Sequence, residues 1–445
     1  MRDSEYLIHK RPVNALIIFA LPMMLGNIFQ QFYTMADSVI VGRFIGEKAL
    51  AAVGASYALT TVFISIAIGG GIGASVVASR AFGARRYGVM KSAISTSLIA
   101  FLVLSIVLGI FGYILSPAIM SALNTPDDIL QDSITYLKIY FLGLPFLFMY
   151  NVLASMFNAL GKSRIPLFLL IFSSVLNVFL DIFMVTTLQM GVAGAAWATL
   201  IAQGISAVIS FSILMKTLSE FDEKNEKLWS ADLMKTISLI ALPSILQQST
   251  VSIGMMLVQS VVNSFGSEVL AGFSAAMRIE SIVVVPMSAM GNAMSSYTAQ
   301  NIGADKTDRV IRGYHASYLI IAVLALLIML PLEIADEWLI KLFIGNEGTA
   351  DAMATGTGYL SFMGWFFAFI GFKMITDGLL RGAGDMTMFT IANLVNLSIR
   401  VIVAFVFAPV YGIAMVWVAV PFGWAANWLI SGIEYRSGRW KTKRT

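Results

Sequence analysis

Apolar stretches long enough to form helices of about 20 residues or more recur twelve times along this 445-residue chain, and nothing else in it limits the fold so strongly. They lie at 13–41, 48–79, 92–116, 132–158, 166–188, 191–215, 233–263, 268–299, 312–333, 354–380, 387–408 and 411–433. A segment inside lipid must satisfy its own backbone hydrogen bonds, which a lone segment does only as a helix. The spacing therefore predicts an all-α polytopic membrane protein of twelve transmembrane helices. Composition excludes the soluble alternative: 58% of residues are hydrophobic, only 12% are charged, and a mean hydropathy of +0.82 reflects an excess spread over the whole length. The absence of cysteine removes disulfides, thiolate metal sites and thiol nucleophiles. The charged N-terminal residues run into apolar sequence without a cleavage site, so no removable signal peptide is expected.

Polar breaks separate the spans, among them GARRYG, NTPDD, GKSR, FDEKNEKLWSAD, GADKTD, GNEGTAD and RGAGD. The basic residues are unequally shared between the two sides. Of the 29 Lys and Arg, 22 fall in the tails and even-numbered gaps, including Arg2, Arg80, Arg85, Arg86, Lys306, Arg309, Lys443 and Arg444. Only Arg43, Lys48 and Lys341 fall in the odd ones. By the positive-inside rule both termini are cytoplasmic, in a multi-pass protein of the cytoplasmic membrane. Lys138, Arg278, Lys373 and Arg400 lie within spans, where an ionisable group is a functional candidate.

The chain also repeats itself. Ala20-Leu21-Pro22 matches Ala241-Leu242-Pro243, and at an offset of 220 Gly46, Leu50, Ala51, Ala55, Gly71, Ser75, Gly83 and Ala84 meet Gly266, Leu270, Ala271, Ala275, Gly291, Ser295, Gly303 and Ala304. Six helices per repeat predict two lobes entering the membrane the same way, related by a pseudo-two-fold axis along the membrane normal. The expected domains are an N-terminal lobe at 1–216 (helices 1–6), a cytoplasmic linker at 217–232, and a C-terminal lobe at 233–445 (helices 7–12) with a basic tail.

Four acids fall inside spans, and each costs about 2.5–3.5 kcal/mol at a helix centre. These are Asp37, Asp181, Glu280 and Asp377. Asp37 follows Pro22 by 15 residues on helix 1, and a mid-helix proline removes a backbone hydrogen bond and bends the helix. Asp181 and Asn177 are four apart on helix 5 and share a face, while helix 6 carries Thr199 in the small-residue run GVAGAAWAT. Two carboxylates, an amide carbonyl and a hydroxyl suit a small hard cation or a proton shared between acids. Interhelical hydrogen bonding is the alternative. The repeat does not copy this set: Asp37 falls on Leu257, and Asn177 and Asp181 fall on Arg400 and Ala404.

The chain resembles the multidrug and toxic compound extrusion (MATE) family over its whole length. The resemblance rests on LPMMLGNIFQQFYTMADSVIVGRFIG at 21–46, RAFGARR at 80–86, QNIGA at 300–304, LRGAGD at 380–385, and the twelve-helix plan. It implies that Asp37 on a proline-bent first helix, Asn177 and Asp181 on helix 5 and Thr199 on helix 6 form a cation or proton coupling site of the bacterial N-lobe type. The C-lobe Glu and Asp of another branch align with Val251 and Ile370, which speaks against a sodium site there.

Other polar residues allow two readings. Gln247, Gln259, Arg278 and Glu280 either face a substrate cavity or bond between helices. Met255, Met287 and Met290, on helices 7 and 8, either offer a pliable binding wall or simply pack. Lys373 and Asp377 form a cavity pair or an intrahelical ion pair. Gly69-Gly70-Gly71-Ile72-Gly73 follows no strand and reads as helix packing or a flex point rather than a nucleotide cradle. His9 and His315 make no metal motif, so no metal beyond Na⁺ at the coupling site and no cofactor are expected.

The expected function is a secondary antiporter that exports amphipathic or cationic organic compounds in exchange for H⁺ or Na⁺ by alternating access of two lobes. Its partners are small organic substrates and the bilayer, with no nucleic acid, and it acts as a monomer. The alternative is a flippase for a lipid-linked cell-envelope precursor. No nucleophile–base pair supports an enzyme, and no catalytic residue is assigned.

Overall fold

The computed structural model describes residues 5–224, 226–345 and 348–442, which contain helices and no strand. Arg2, Lys443 and Arg444 of the charge count, Asn225 of the linker, and Asn346 and Glu347 of GNEGTAD lie outside these residues. A short α1 (Tyr6–His9) precedes α2 (Pro12–Ile40), which runs into a π-helical turn at Val41–Ile45. Then come α3 (Glu47–Gly83), α4 (Tyr87–Ala122), α5 (Asp127–Ala159), α6 (Arg164–Ile182) with a second π turn at Phe183–Thr187, and α7 (Gly191–Ser219). The second repeat holds α8 (Ala231–Asn263), α9 (Ser267–Val283), α10 (Val285–Gly303), α11 (Thr307–Ile334), α12 (Asp336–Ile344), α13 (Ala350–Gly364), α14 (Phe367–Ala383), α15 (Met386–Tyr411) and α16 (Ala414–Ser437).

Among the described residues eleven stretches are long and apolar enough to cross a membrane, and α13 with α14, bent by 55° at their junction, makes a twelfth when the pair is taken as one span. The span expected at 354–380 is thus broken, between Gly364 and Phe367. That at 268–299 is divided into α9 and α10 at Val284, two residues before Pro286, whose missing N–H cannot continue the hydrogen-bond ladder. The repeat is visible in the backbone. Gly46 and Gly266 take φ of 117° and 101° before α3 and α9, a region that residues with a Cβ rarely enter. Arg85 and Asp305 make matching left-handed turns at φ 57° and 54°.

Two compact units divide the chain, one of Leu25–Ile245 and the other of Met1–Met24 with Leu246–Thr445. The division does not fall in the 217–232 stretch. It falls two residues past Pro22 in α2 and two residues past Pro243 in α8, at corresponding places in the repeat. Packing explains this. In the first unit Gly69 and Gly73 of α3 bring its backbone against that of Ile245 and Ala241, so the first half of α8 belongs there. The stretch before α8 is fastened to the same unit: Lys91 donates to the carbonyls of Phe221 and Glu223, both at 2.7 Å, and the Gly88 N–H donates to the Glu223 carboxylate at 2.6 Å. In the other unit Arg309 donates to the Leu7 and Lys10 carbonyls at 3.0 and 2.7 Å, holding the segment that leads into α2.

The first unit is centred on α5, which packs on α3, α4 and α7 and whose Phe141, Phe148 and Phe157 are all essentially inaccessible. In the other, α10 and α14 cross at backbone distance: a Cβ on Gly378 would overlap the Gly291 carbonyl, and one on Gly382 the Ser295 carbonyl. Small residues permit this approach, which lipid-embedded helices exploit for dispersion contacts. Gly378→Leu is expected to destabilise the protein by at least about 1–3 kcal/mol through overpacking. Gly358→Ala, where an added methyl meets no atom within 4 Å, should be silent. Thermal melting of the two purified variants in detergent compares them directly.

Candidate functional site

The acid on α2 and the acid on α6 meet inside the Leu25–Ile245 unit. The carboxylates of Asp37 and Asp181 lie within hydrogen-bonding reach of each other, although two ionised carboxylates possess no hydrogen to share. Asn177, one turn before Asp181, donates its amide to the Thr199 hydroxyl on α7 at 3.2 Å, which aims its own carbonyl oxygen away from Thr199. Asp181 is 0% exposed and Asn177 1%. Both oxygens of Asp181, the Asn177 Oδ1 and the Asp37 Oδ1 are buried, and no donor among the described residues reaches them. Such acceptors carry a desolvation penalty of about 1–3 kcal/mol each, more when charged. An arrangement of oxygens without donors attracts a proton or a small hard cation, and it does so more strongly because water is excluded.

Asp37 sits four residues before the π turn that ends α2, and Asp181 two residues before the one that ends α6, with the two turns packed on each other. A π turn leaves the regular i→i−4 ladder and is often found at functional sites. Three tyrosines complete the surroundings. Tyr33, one turn before Asp37, comes within hydrogen-bonding reach of Thr199, and Tyr136 on α5 is close enough to feel the charge of both acids. Tyr140 donates to the Thr60 carbonyl at 3.2 Å and, with Tyr136, Thr199 and Gln203, lines a cavity of about 20 Å³, the size of one water. Tyr33 is legible in the sequence through its i−4 spacing from Asp37. Tyr136 is not, since only the α5–α7 packing brings it there.

The remaining candidates lie in the other unit, Pro22 and Gln247 close to the divisions inside α2 and α8. Met287 and Met290 are fully buried on α10, with the Met287 sulfur against Gly371, so this stripe packs. Met255 is exposed on α8, and Gln259 donates to Asn263 at 3.1 Å on the same helix. Gln247 is part-buried with its carbonyl oxygen unmatched. Arg278 is exposed. Glu280 is buried, accepts a hydrogen bond from Tyr359 and lies near the charge of Arg400. Lys373 and Asp377 form an ion pair at 2.9 Å, and Asn393 bonds to both members while Ser431 donates to Asp377. Glu280 and Asp377 are thus compensated, whereas Asp37 and Asp181 are not.

Two repeated sets of spans, with uncompensated acids inside one, describe a multi-pass membrane protein. The profile of the MatE family matches residues 22–183 and 243–406, one segment in each repeat, and the chain belongs to that family, MATE. It is 32% identical over 434 residues to the "Probable multidrug resistance protein YpnP" of Bacillus subtilis (strain 168), covering 96% of both chains. To the "Multidrug export protein MepA" of Staphylococcus haemolyticus (strain JCSC1435) it is 24% identical over 423 residues, 94% of this chain and 92% of that one. Among solved structures, an "Outward-facing conformation of a multidrug resistance MATE family transporter of the MOP superfamily" superposes with a TM-score of 0.87 at 25% identity, covering 99% and 98% of the two chains.

Compensation has a measurable sign. Asp181→Asn removes an unmatched buried carboxylate and is expected to raise the melting temperature in sodium-free buffer at neutral pH. Asp377→Asn strands Lys373 and is expected to cost about 3–5 kcal/mol. Equal melting shifts for the two variants would contradict the distinction.

Proposed function

We propose that the protein is a secondary antiporter that expels amphipathic, cationic organic compounds in exchange for H⁺ or Na⁺, with Asp37, Asn177, Asp181 and Thr199 as the coupling site. The observation that carries this reading is the cluster of buried oxygens without donors, because an exchanged ion is what such a cluster accepts and later surrenders. The printed names of the two relatives, a multidrug resistance protein and a multidrug export protein, support the choice of substrate class.

Arrival of a proton or Na⁺ between Asp37 and Asp181 replaces repulsion by attraction and draws the end of α2 toward α6. Pro22 interrupts the α2 ladder between that end and its beginning, so the displacement bends the helix rather than translating it. An ion drives the change only by binding one conformation better than the other, and two carboxylates that are close in one and separated in the other supply that difference. A single charge moving down a 100 mV potential adds about 2.3 kcal/mol. Both termini and the basic gaps face the cytoplasm, and the lobes expose the substrate path alternately.

The test is flux of a fluorescent organic cation in proteoliposomes, with Na⁺ and pH gradients imposed separately. One gradient should drive wild-type flux, and Asp37→Asn and Asp181→Asn should each reduce it at least about tenfold, the equivalent of about 1.4 kcal/mol, while eluting as folded monomers. Gradient-independent behaviour with unaffected mutants would discard the antiporter and leave the lipid-precursor flippase.

A further inference from the structure

At the end of the spans that carries the basic excess, a half-open groove of about 370 Å³ lies between the start of α11 and the end of α16, within the unit of Leu246–Thr445. Its floor is aromatic and rigid. Trp428 donates to the Tyr318 hydroxyl at 2.6 Å, that hydroxyl bonds to Tyr314 at 2.7 Å and to Thr376 at 2.8 Å, and Tyr314 stacks on Tyr435 with centroids 4.0 Å apart. The hydroxyls of Tyr314 and Tyr318 are therefore occupied, and a ligand meets mostly ring surface there.

Charge selects the occupant. Arg436 on α16 and His315 on α11 stand at the rim, both exposed, and no carboxylate lines the groove among the described residues. Glu434, the nearest acid in sequence, is buried and taken by Arg439 at 2.7 Å. Tyrosine and tryptophan faces alone would suit an organic cation, but the guanidinium at the mouth opposes one. It presents a planar fork of donors suited to a phosphate.

The wall continues as an apolar strip. Leu429 and Ile433, 58% and 64% exposed, follow the same stripe of α16 as Arg436, at helical spacings of four and three. Gly432 makes a notch in that stripe: a Cβ added there meets no atom within 4 Å, and its φ lies outside the left-handed region. We infer that this groove binds an anionic glycerophospholipid, its phosphate on Arg436 and His315 and its glycerol and first acyl carbons in the Gly432 notch along Leu429 and Ile433. Basic pockets between spans at a membrane interface hold lipid head groups in this manner. The site uses none of the ion-coupling residues, so the inference stands or falls separately from the transport reading.

The experiment is native mass spectrometry of the full-length protein, delipidated in detergent and titrated with palmitoyl-oleoyl phosphatidylglycerol or phosphatidylcholine. Wild type is expected to retain one phosphatidylglycerol about tenfold better than phosphatidylcholine. Gly432→Leu, which fills the notch, and Arg436→Gln, which removes the fork, should both lower phosphatidylglycerol to the level of phosphatidylcholine. Melting temperatures in lipid-free detergent accompany each variant, and Arg436→Gln decides alone if Gly432→Leu melts early. Three results would overturn the inference: equal retention of the two lipids by wild type, which leaves only an aromatic anchoring belt; undiminished phosphatidylglycerol binding in Arg436→Gln; or displacement of the lipid by millimolar inorganic phosphate, which reduces the site to a free-anion site.

Discussion

Lipid provides no hydrogen-bonding partner, and this single condition governs the molecule. It forces the described spans into helices, packs them through glycines where backbones touch, and makes every buried polar atom either matched by the protein or conspicuous. Most are matched locally: Ser65, Ser97, Ser116 and Ser244 return their hydroxyls to carbonyls one turn back. Against that background the unmatched oxygens of Asn177 and Asp181 stand out, and on the proposed antiporter reading they are groups whose partner comes and goes.

The same condition explains where the chain tolerates irregular backbone. Pro22 and Pro243 each interrupt a hydrogen-bond ladder, and the two compact units change over two residues beyond each. A helix whose two ends belong to different packing units has to accommodate any change in either, and a proline removes the hydrogen bond that would resist bending. The polar clamps at Lys91 and Arg309 hold the approaches to α8 and α2. The π turns after Asp37 and Asp181 are further places where the regular ladder is interrupted, beside the acids.

Most of the fold was legible because hydropathy and repeat spacing are local properties. Gly46 and Gly266, matched by offset alone, adopt the same left-handed conformation, and the Gly69 to Gly73 run is the packing surface its composition suggested. Asp37, Asn177 and Asp181 were conspicuous because an acid or amide inside an apolar run is costly wherever it occurs, and the structure brings them together with Thr199. What remained hidden depends on the third dimension. Tyr136 reaches the acids only through interhelical packing, the break between α13 and α14 has no proline to announce it, and the polar stretch before α8 reads as a linker with nothing in it to show that Lys91 binds it. The methionine stripe on α10 illustrates the converse, since helical spacing shows that Met287 and Met290 share a face and is silent on what covers it.

The two repeats share a scaffold and differ in how they treat charge. In one, Lys373 sits 2.9 Å from Asp377, Asn393 and Ser431 complete the pair, and Glu280 has Tyr359 and the nearby charge of Arg400. At the position matching Asn177 stands Arg400 itself, a permanent cation in place of an oxygen donor. A guanidinium cannot leave and return as a small ion does, so an acid it serves is neutralised once, for structure. In the other repeat no such cation reaches Asp37 or Asp181 among the described residues, which on the proposed antiporter reading leaves their neutralisation to an exchangeable ion. On that reading a duplicated helix bundle becomes asymmetric without any change of fold: substituting the residue opposite an acid decides whether that acid is fixed or free to cycle.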